Sequence, residues 1–187
     1  LLWREARDAY HSSPFPLGGR FYDGQSRWEL GPRRFALGLS PEHSGPEKFQ
    51  GFHADRILFV IDEASGVPAA HWEAIKGSAL AGNAVIFCIG NPTRLHGEFY
   101  EAFHRNAALW KTLSISAFDT PNFTGGGIAG LVKPEAVEEA RIDWGEDSPL
   151  WAVRILGQFP TASTNQLIPL DWIEAAVDRD VAPGDLA

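Results

Sequence analysis

The chain has 187 residues, 44% hydrophobic and 21% charged, enough for one ordinary domain with a full core. Its net charge of −8 excludes a whole-protein basic field for gripping nucleic acid, and the acid is concentrated in residues 134–187, where eleven Asp/Glu face three Arg. No run reaches the roughly 18 apolar residues of a membrane span, no secretory signal pattern is present, and the single cysteine excludes an intrachain disulfide, which fits a reducing cytoplasm.

The residues around Leu1 to Tyr10 place Leu2, Ala6 and Ala9 or Tyr10 on one face and predict a helix. Proline and glycine make 12–19 a loop. Two strands are expected at Ser26 to Leu30 and Arg34 to Leu39, joined at Gly31-Pro32 as a hairpin-like excursion. Arg27, Arg33 and Arg34 form the local patch any nucleic-acid contact would use, although taken by themselves they read as a solvated strand surface. After a polar loop, Arg56 to Ile61 is an apolar strand of the kind buried on both faces of a parallel sheet. A helix from about Pro68 to Leu80 follows, closed by Gly82-Asn83, and then a second apolar strand, Ala84 to Ile89. Strand, helix and strand with short joints form a βαβ unit. Further on come a helix over Glu98 to Leu109, a third strand over Trp110 to Ala117, a long loop through Gly125-Gly126-Gly127, and a helix from Pro134 to Trp144. Ser148 as N-cap and Pro149 open another helix, ending near Leu156.

The chemistry concentrates at Asp62 and Glu63, two acids directly after a buried strand, where parallel α/β sheets place their active residues. In ATP-driven machines this is the Walker B element, whose first acid holds Mg²⁺ and whose second polarises the attacking water. The βαβ unit brings the Gly90-Asn91-Pro92-Thr93 turn to the same sheet edge, where Asn91 or Thr93 could sense an intact nucleotide. No G-x-x-x-x-G-K-[ST] phosphate loop occurs, and Gly18-Gly19-Arg20 and Gly125-Gly126-Gly127 lack its lysine. With no methionine and leucine at residue 1, the chain reads as an internal fragment, expected to bind ATP weakly or not at all.

The blocks Phe49 to Ala54, Asp62 to Pro68, Ile89 to Thr93, Ser116 to Phe123, Trp144 to Pro149 and Leu156 to Pro160, in that order, resemble the ATPase domain of large terminase subunits, the DNA-packaging motors of tailed bacteriophages and prophages. The resemblance implies a partial P-loop NTPase of the ASCE type: an α/β fold with a parallel sheet flanked by helices, lacking the Walker A strand and loop. Residues 1–160 would be the C-terminal portion of the motor domain. Residues 161–187, with the Leu167 to Val177 segment, would lead to an absent RNase H-like nuclease. The resemblance implies ATP and Mg²⁺ as cofactors, Asp62 as the metal-associated acid and Glu63 as the catalytic base. Gly90, Asn91 and Thr93 would occupy the coupling-motif position, and Arg94 is a candidate for phosphate or DNA contact. The implied partners are double-stranded DNA, a small terminase subunit, a portal protein and further copies in a ring, in the bacterial host cytoplasm and without a membrane.

Three rivals share some of these residues. A helicase-like nucleic-acid-dependent ATPase would need further motifs downstream. A Mg²⁺-dependent nuclease would need Asp62, Glu63 and Asp119 to converge on two metals, whereas Asp119 reads as a loop cap. A non-catalytic prophage remnant or protein-binding module would fold without nucleotide affinity and without an open sheet edge where an upstream strand and phosphate loop belong. The six histidines lack metal-ligand spacing, Ser65 lacks a nucleophile elbow, Cys88 reads as a small core residue, and Trp72, Trp110, Trp144 and Trp151 read as core or interface anchors.

Overall fold

The computed structural model describes residues 2–52, 54–80 and 83–161; the expected linker beyond Thr161, the Leu167 to Val177 segment and the acidic tail lie outside them. The chain divides into two units, one built on residues up to Glu63 together with Val67–Ile89, the other on Ala64–Gly66 together with the residues from Gly90 onward.

The first unit begins with α1 (Leu2–Ser12) and a three-stranded antiparallel sheet in the order β1 (Arg20–Tyr22), β2 (Arg27–Gly31), β3 (Arg34–Leu37). The expected hairpin is β2–β3. β1 was not expected, because three residues are too few to show an alternating pattern. The register pairs Phe21 with Trp28 and Trp28 with Ala36, which puts these three on one face. That face packs on α1: Phe21 stacks on Trp28 at 5.5 Å and meets Trp3 and Tyr10 at 5.4 and 4.7 Å between ring centroids. Tyr10 and Trp28 also donate hydrogen bonds to the carbonyls of Gly19 and Gly18, each at 3.1 Å. Arg20, Tyr22, Arg27, Glu29, Phe35 and Leu37 are left on the opposite face.

β4 (Arg56–Ile61), α2 (Ala69–Ala79) and β5 (Asn83–Cys88) form the expected βαβ unit. The strands are parallel, Ile61 lies opposite Cys88, and the Ile89 N–H extends the ladder to the Ile61 carbonyl at 2.9 Å. α2 buries Trp72, Ala74 and Ile75. It is tied to the segment before β4 by His71 Nε2 at 3.0 Å from the Ser44 carbonyl and by the Ser78 hydroxyl donating to the Phe49 carbonyl at 3.1 Å. Burial on both strand faces is not observed. Ile57 and Phe59 are half-buried and Ile61 is buried, while Leu58 and Val85 remain 62% and 60% exposed and Val60 and Phe87 share their face. The described residues supply only two strands to this sheet, and α2 packs on β5 from one side.

In the second unit, α3 (Glu98–Phe103) is shorter than the predicted helix, because His104 leaves helical space at φ −121°, ψ −104°. Only a separate turn of 3-10 helix forms at Ala107–Leu109. The third strand expected over Trp110 to Ala117 does not form: the segment pairs with no strand among the described residues, Ala117 begins a turn of 3-10 helix, and Leu113 and Ile115 are exposed. Alternating residue types gave a strand-like pattern without a neighbour to complete the ladder. α4 (Pro121–Thr124), α5 (Pro134–Trp144) and α6 (Pro149–Trp151) follow, and α6 runs directly into a π-helical turn at Ala152–Leu156. Ser148 accepts the Trp151 N–H at 3.1 Å, the predicted cap. Trp151, Val137, Ala140, Ala117 and Ile155 make a core on which Trp144 also packs.

Asn122 holds the long loop. Its Nδ2 donates to the carbonyls of Ile128, Leu131 and Val132 at 3.0–3.3 Å, and its Oδ1 accepts the Ile128 N–H at 2.7 Å. Asn122→Ala is expected to cost about 1–3 kcal/mol in a urea melt, since several carbonyls and one amide lose their partner together. Asn122→Asp should be no milder, because a carboxylate would face three carbonyl oxygens.

Candidate active site

Asp62 and Glu63 follow β4 without an intervening residue, at the carboxyl edge of the parallel pair, and both are exposed. The edge is the one from which β5 leaves toward Gly90. Glu63 has φ +52° and is one of two non-glycine residues among those described in this region. A left-handed backbone costs an ordinary residue roughly 1–2 kcal/mol. The Asp62 carboxylate offsets part of that cost: its Oδ1 accepts the Glu63 N–H at 3.0 Å, leaving Oδ2 open. Strain of this kind at an exposed acid is a reason to look for function there.

Gly90, Asn91, Thr93 and Arg94 belong to the second unit, as does the short turn Ala64–Gly66 that continues directly from Glu63. Within that unit the Ser65 and Thr93 hydroxyls are 3.1 Å apart, a hydrogen bond between the turn after the acids and the turn after β5. The Thr93 N–H also donates to the Asn91 carbonyl at 2.8 Å, tightening the Gly-Asn-Pro-Thr turn, in which Pro92 is buried. Arg94 is exposed and pairs with no carboxylate among the described residues. Ser65 was missed as a partner because nothing in a string of residues signals a hydroxyl contact across 28 positions. A double-mutant cycle tests it: Ser65→Ala and Thr93→Val should show a coupling of about 0.5–1.5 kcal/mol in urea unfolding. Additive effects would mean that the two hydroxyls do not bond.

The other candidates take structural places. Asp119 Oδ2 accepts the Ser116 N–H at 2.9 Å in a capping box around Ala117–Asp119, the loop cap its position suggested and a poor third ligand for a nuclease. Among the described residues no three His, Cys, Asp or Glu side chains gather as a metal site. Burial pushes the Cys88 thiol up to about 11, so it stays protonated at neutral pH and is no nucleophile. Trp72 and Trp151 are buried anchors, at 2% and 3% exposure. No helix among the described residues is long and apolar enough to cross a membrane.

The resemblance to large terminase subunits is borne out by comparison with curated proteins. The chain is similar to the "Probable terminase, large subunit" of Enterobacteria phage P7, with 29% identity over 143 residues, covering 72% of this chain and 27% of that protein. It therefore spans about a quarter of the length of the relative it matches. No family model matches the chain, and no solved structure matches it.

Proposed function

We propose that this chain is part of the motor ATPase of a phage large terminase subunit, in which ATP hydrolysis drives double-stranded DNA into a procapsid. The observation that carries the reading is Glu63: an acid held in left-handed backbone directly after Asp62, where a parallel strand ends. The similarity to a probable terminase supplies the context.

In this reading the residues divide the work. Asp62, an exposed hard-oxygen donor with one oxygen already accepting the Glu63 amide, would hold Mg²⁺. When bound, Mg²⁺ would supply positive charge against the phosphates of the nucleotide. Glu63 orients the attacking water and takes its proton, which an exposed carboxylate can accept and pass to solvent. Thr93 and Asn91 sense the γ-phosphate, and the Ser65–Thr93 hydrogen bond passes the change to the turn following the acids. Arg94, exposed and unpaired among the described residues, is free to meet a phosphate. The phosphate cradle, a small terminase subunit, a portal protein and a ring of copies in the host cytoplasm complete the proposed machine. The test is ATP turnover by the full-length protein with Glu63 or Asp62 replaced. Full activity in an Asp62→Ala protein would overturn the assignment of that residue.

A further inference from the structure

The chain is acidic as a whole, yet its small antiparallel sheet is not. Between Gly18 and Gly38 it carries Arg20, Arg27, Arg33 and Arg34 against Asp23 and Glu29. Both acids already have cationic partners, Asp23 at 3.5 Å from Arg7 and Glu29 at 3.6 Å from Arg27. Arg20, Arg33 and Arg34 are exposed, and no carboxylate among the described residues pairs with them. Arg33 and Arg34 form the tip of the β2–β3 hairpin, next to Pro32, and Arg20 and Arg27 share the face turned away from α1.

Two of these guanidinium groups are ordered by aromatic rings on that face. Arg20 lies over Tyr22 at 5.1 Å and Arg27 over Phe35 at 4.3 Å from the ring centroid. Stacking fixes the plane of a guanidinium. Arg20, which has no carboxylate partner among the described residues, keeps its in-plane N–H donors free, the geometry that meets a phosphate with two parallel hydrogen bonds, whereas Arg27 also faces Glu29. Stacking also occupies a face of each ring, so Tyr22 and Phe35 are poor platforms for unstacked bases. The chemistry favours the backbone of a duplex over a single strand.

We propose that this outer face and hairpin tip bind the phosphate backbone of duplex DNA without reading its sequence. The inference rests on the proposed packaging role only in the choice of duplex DNA as the polyanion; the arginines and their geometry stand apart from the acids of β4. Binding by such a patch is electrostatic, and each phosphate neutralised releases counterions, so affinity falls steeply with salt.

The test is fluorescence anisotropy of the 187-residue chain with a labelled duplex, titrated at several salt concentrations and without nucleotide. Arg33→Glu/Arg34→Glu is expected to weaken binding by about tenfold or more and to reduce the salt slope by about two units, roughly one per lost phosphate contact. Arg33→Lys/Arg34→Lys should keep most of the affinity. The same charge change elsewhere, Lys111→Glu/Lys133→Glu, should alter it by only about twofold. Neither tip arginine makes a side-chain hydrogen bond or ion pair among the described residues, so these variants should share the parent's thermal melt. The proposal is overturned if the parent fails to bind at low salt, or if tip and distal reversals weaken binding equally. Preference for single-stranded DNA, or binding to phosphatidylserine vesicles in place of the duplex, would overturn it too. Glu63→Gln should leave this binding unchanged, so failure of the ATPase reading and failure of the DNA surface show up in different assays.

Discussion

Glu63→Gln in the full-length protein is expected to lower ATP turnover by about 10²–10⁴-fold while nucleotide binding survives. The amide preserves the size and polarity of the side chain but cannot take a proton from water. Its backbone should hold the same left-handed conformation, because the Asp62 carboxylate that accepts the residue-63 N–H is untouched. Turnover and binding therefore separate, which loss of the fold would not produce. Glu63→Gly provides a second, opposite signature. Glycine has no Cβ penalty at φ +52°, so this protein should melt with stability equal to or about 1 kcal/mol above the parent, yet be as inactive as the glutamine variant. A gain in stability with loss of activity marks a residue kept for chemistry. Undiminished turnover in Glu63→Gln would remove the base from the proposed mechanism.

The largest stability effect is expected from Gly157→Ala. Gly157 closes the π-helical turn at φ +62°, and a Cβ built there would stand 2.5 Å from the Ile115 carbonyl oxygen. That neighbour is backbone, and the adjacent Ser116 is itself held by its hydroxyl donating to the Ile155 carbonyl at 3.3 Å, so it has little freedom to yield. The left-handed penalty and the steric overlap together should cost about 2–4 kcal/mol, a large share of the roughly 5–15 kcal/mol that holds a typical domain together. Gly77→Ala supplies the contrast. Gly77 lies inside α2 with nothing near its would-be Cβ, and alanine there should stabilise by about 0.5–1 kcal/mol. Equal melting midpoints for the two variants would refute this reading of Gly157.

What could be read in advance was local. The βαβ unit announced itself through two uninterrupted apolar runs and a helix with proline at its entry. Ser148-Pro149 and Pro134 likewise marked helix starts, the first by a cap hydroxyl and both by a proline in the first turn. The acids after β4 were legible because strand ends and adjacent carboxylates are both sequence features. What escaped depends on distant pairing. The alternation in Trp110 to Ala117 lacked a partner strand. The apolar residues of β4 and β5 indicated burial on two sides, though the described residues cover only one. The Ser65–Thr93 bond and the four hydrogen bonds of Asn122 join groups whose meeting is decided by the fold.

The π-helical stretch from Ala152 to Leu156 has a consequence for engineering. Its wide turn lets the Ala152 carbonyl accept from both Gly157 and Gln158, the latter at 2.9 Å, so the chain advances by more residues than an α-helix would use for the same rotation. Trimming one residue from 152–156 would leave a regular α-turn that covers nearly the same rotation with one residue fewer. Gly157 would then stay against Ile115, and Phe159 would stay in the aromatic nest formed by Phe99, Tyr100 and Phe103. Removing a second residue would turn everything after it by about 100° around the axis and pull both out of place, so one deletion should be tolerated where two are not.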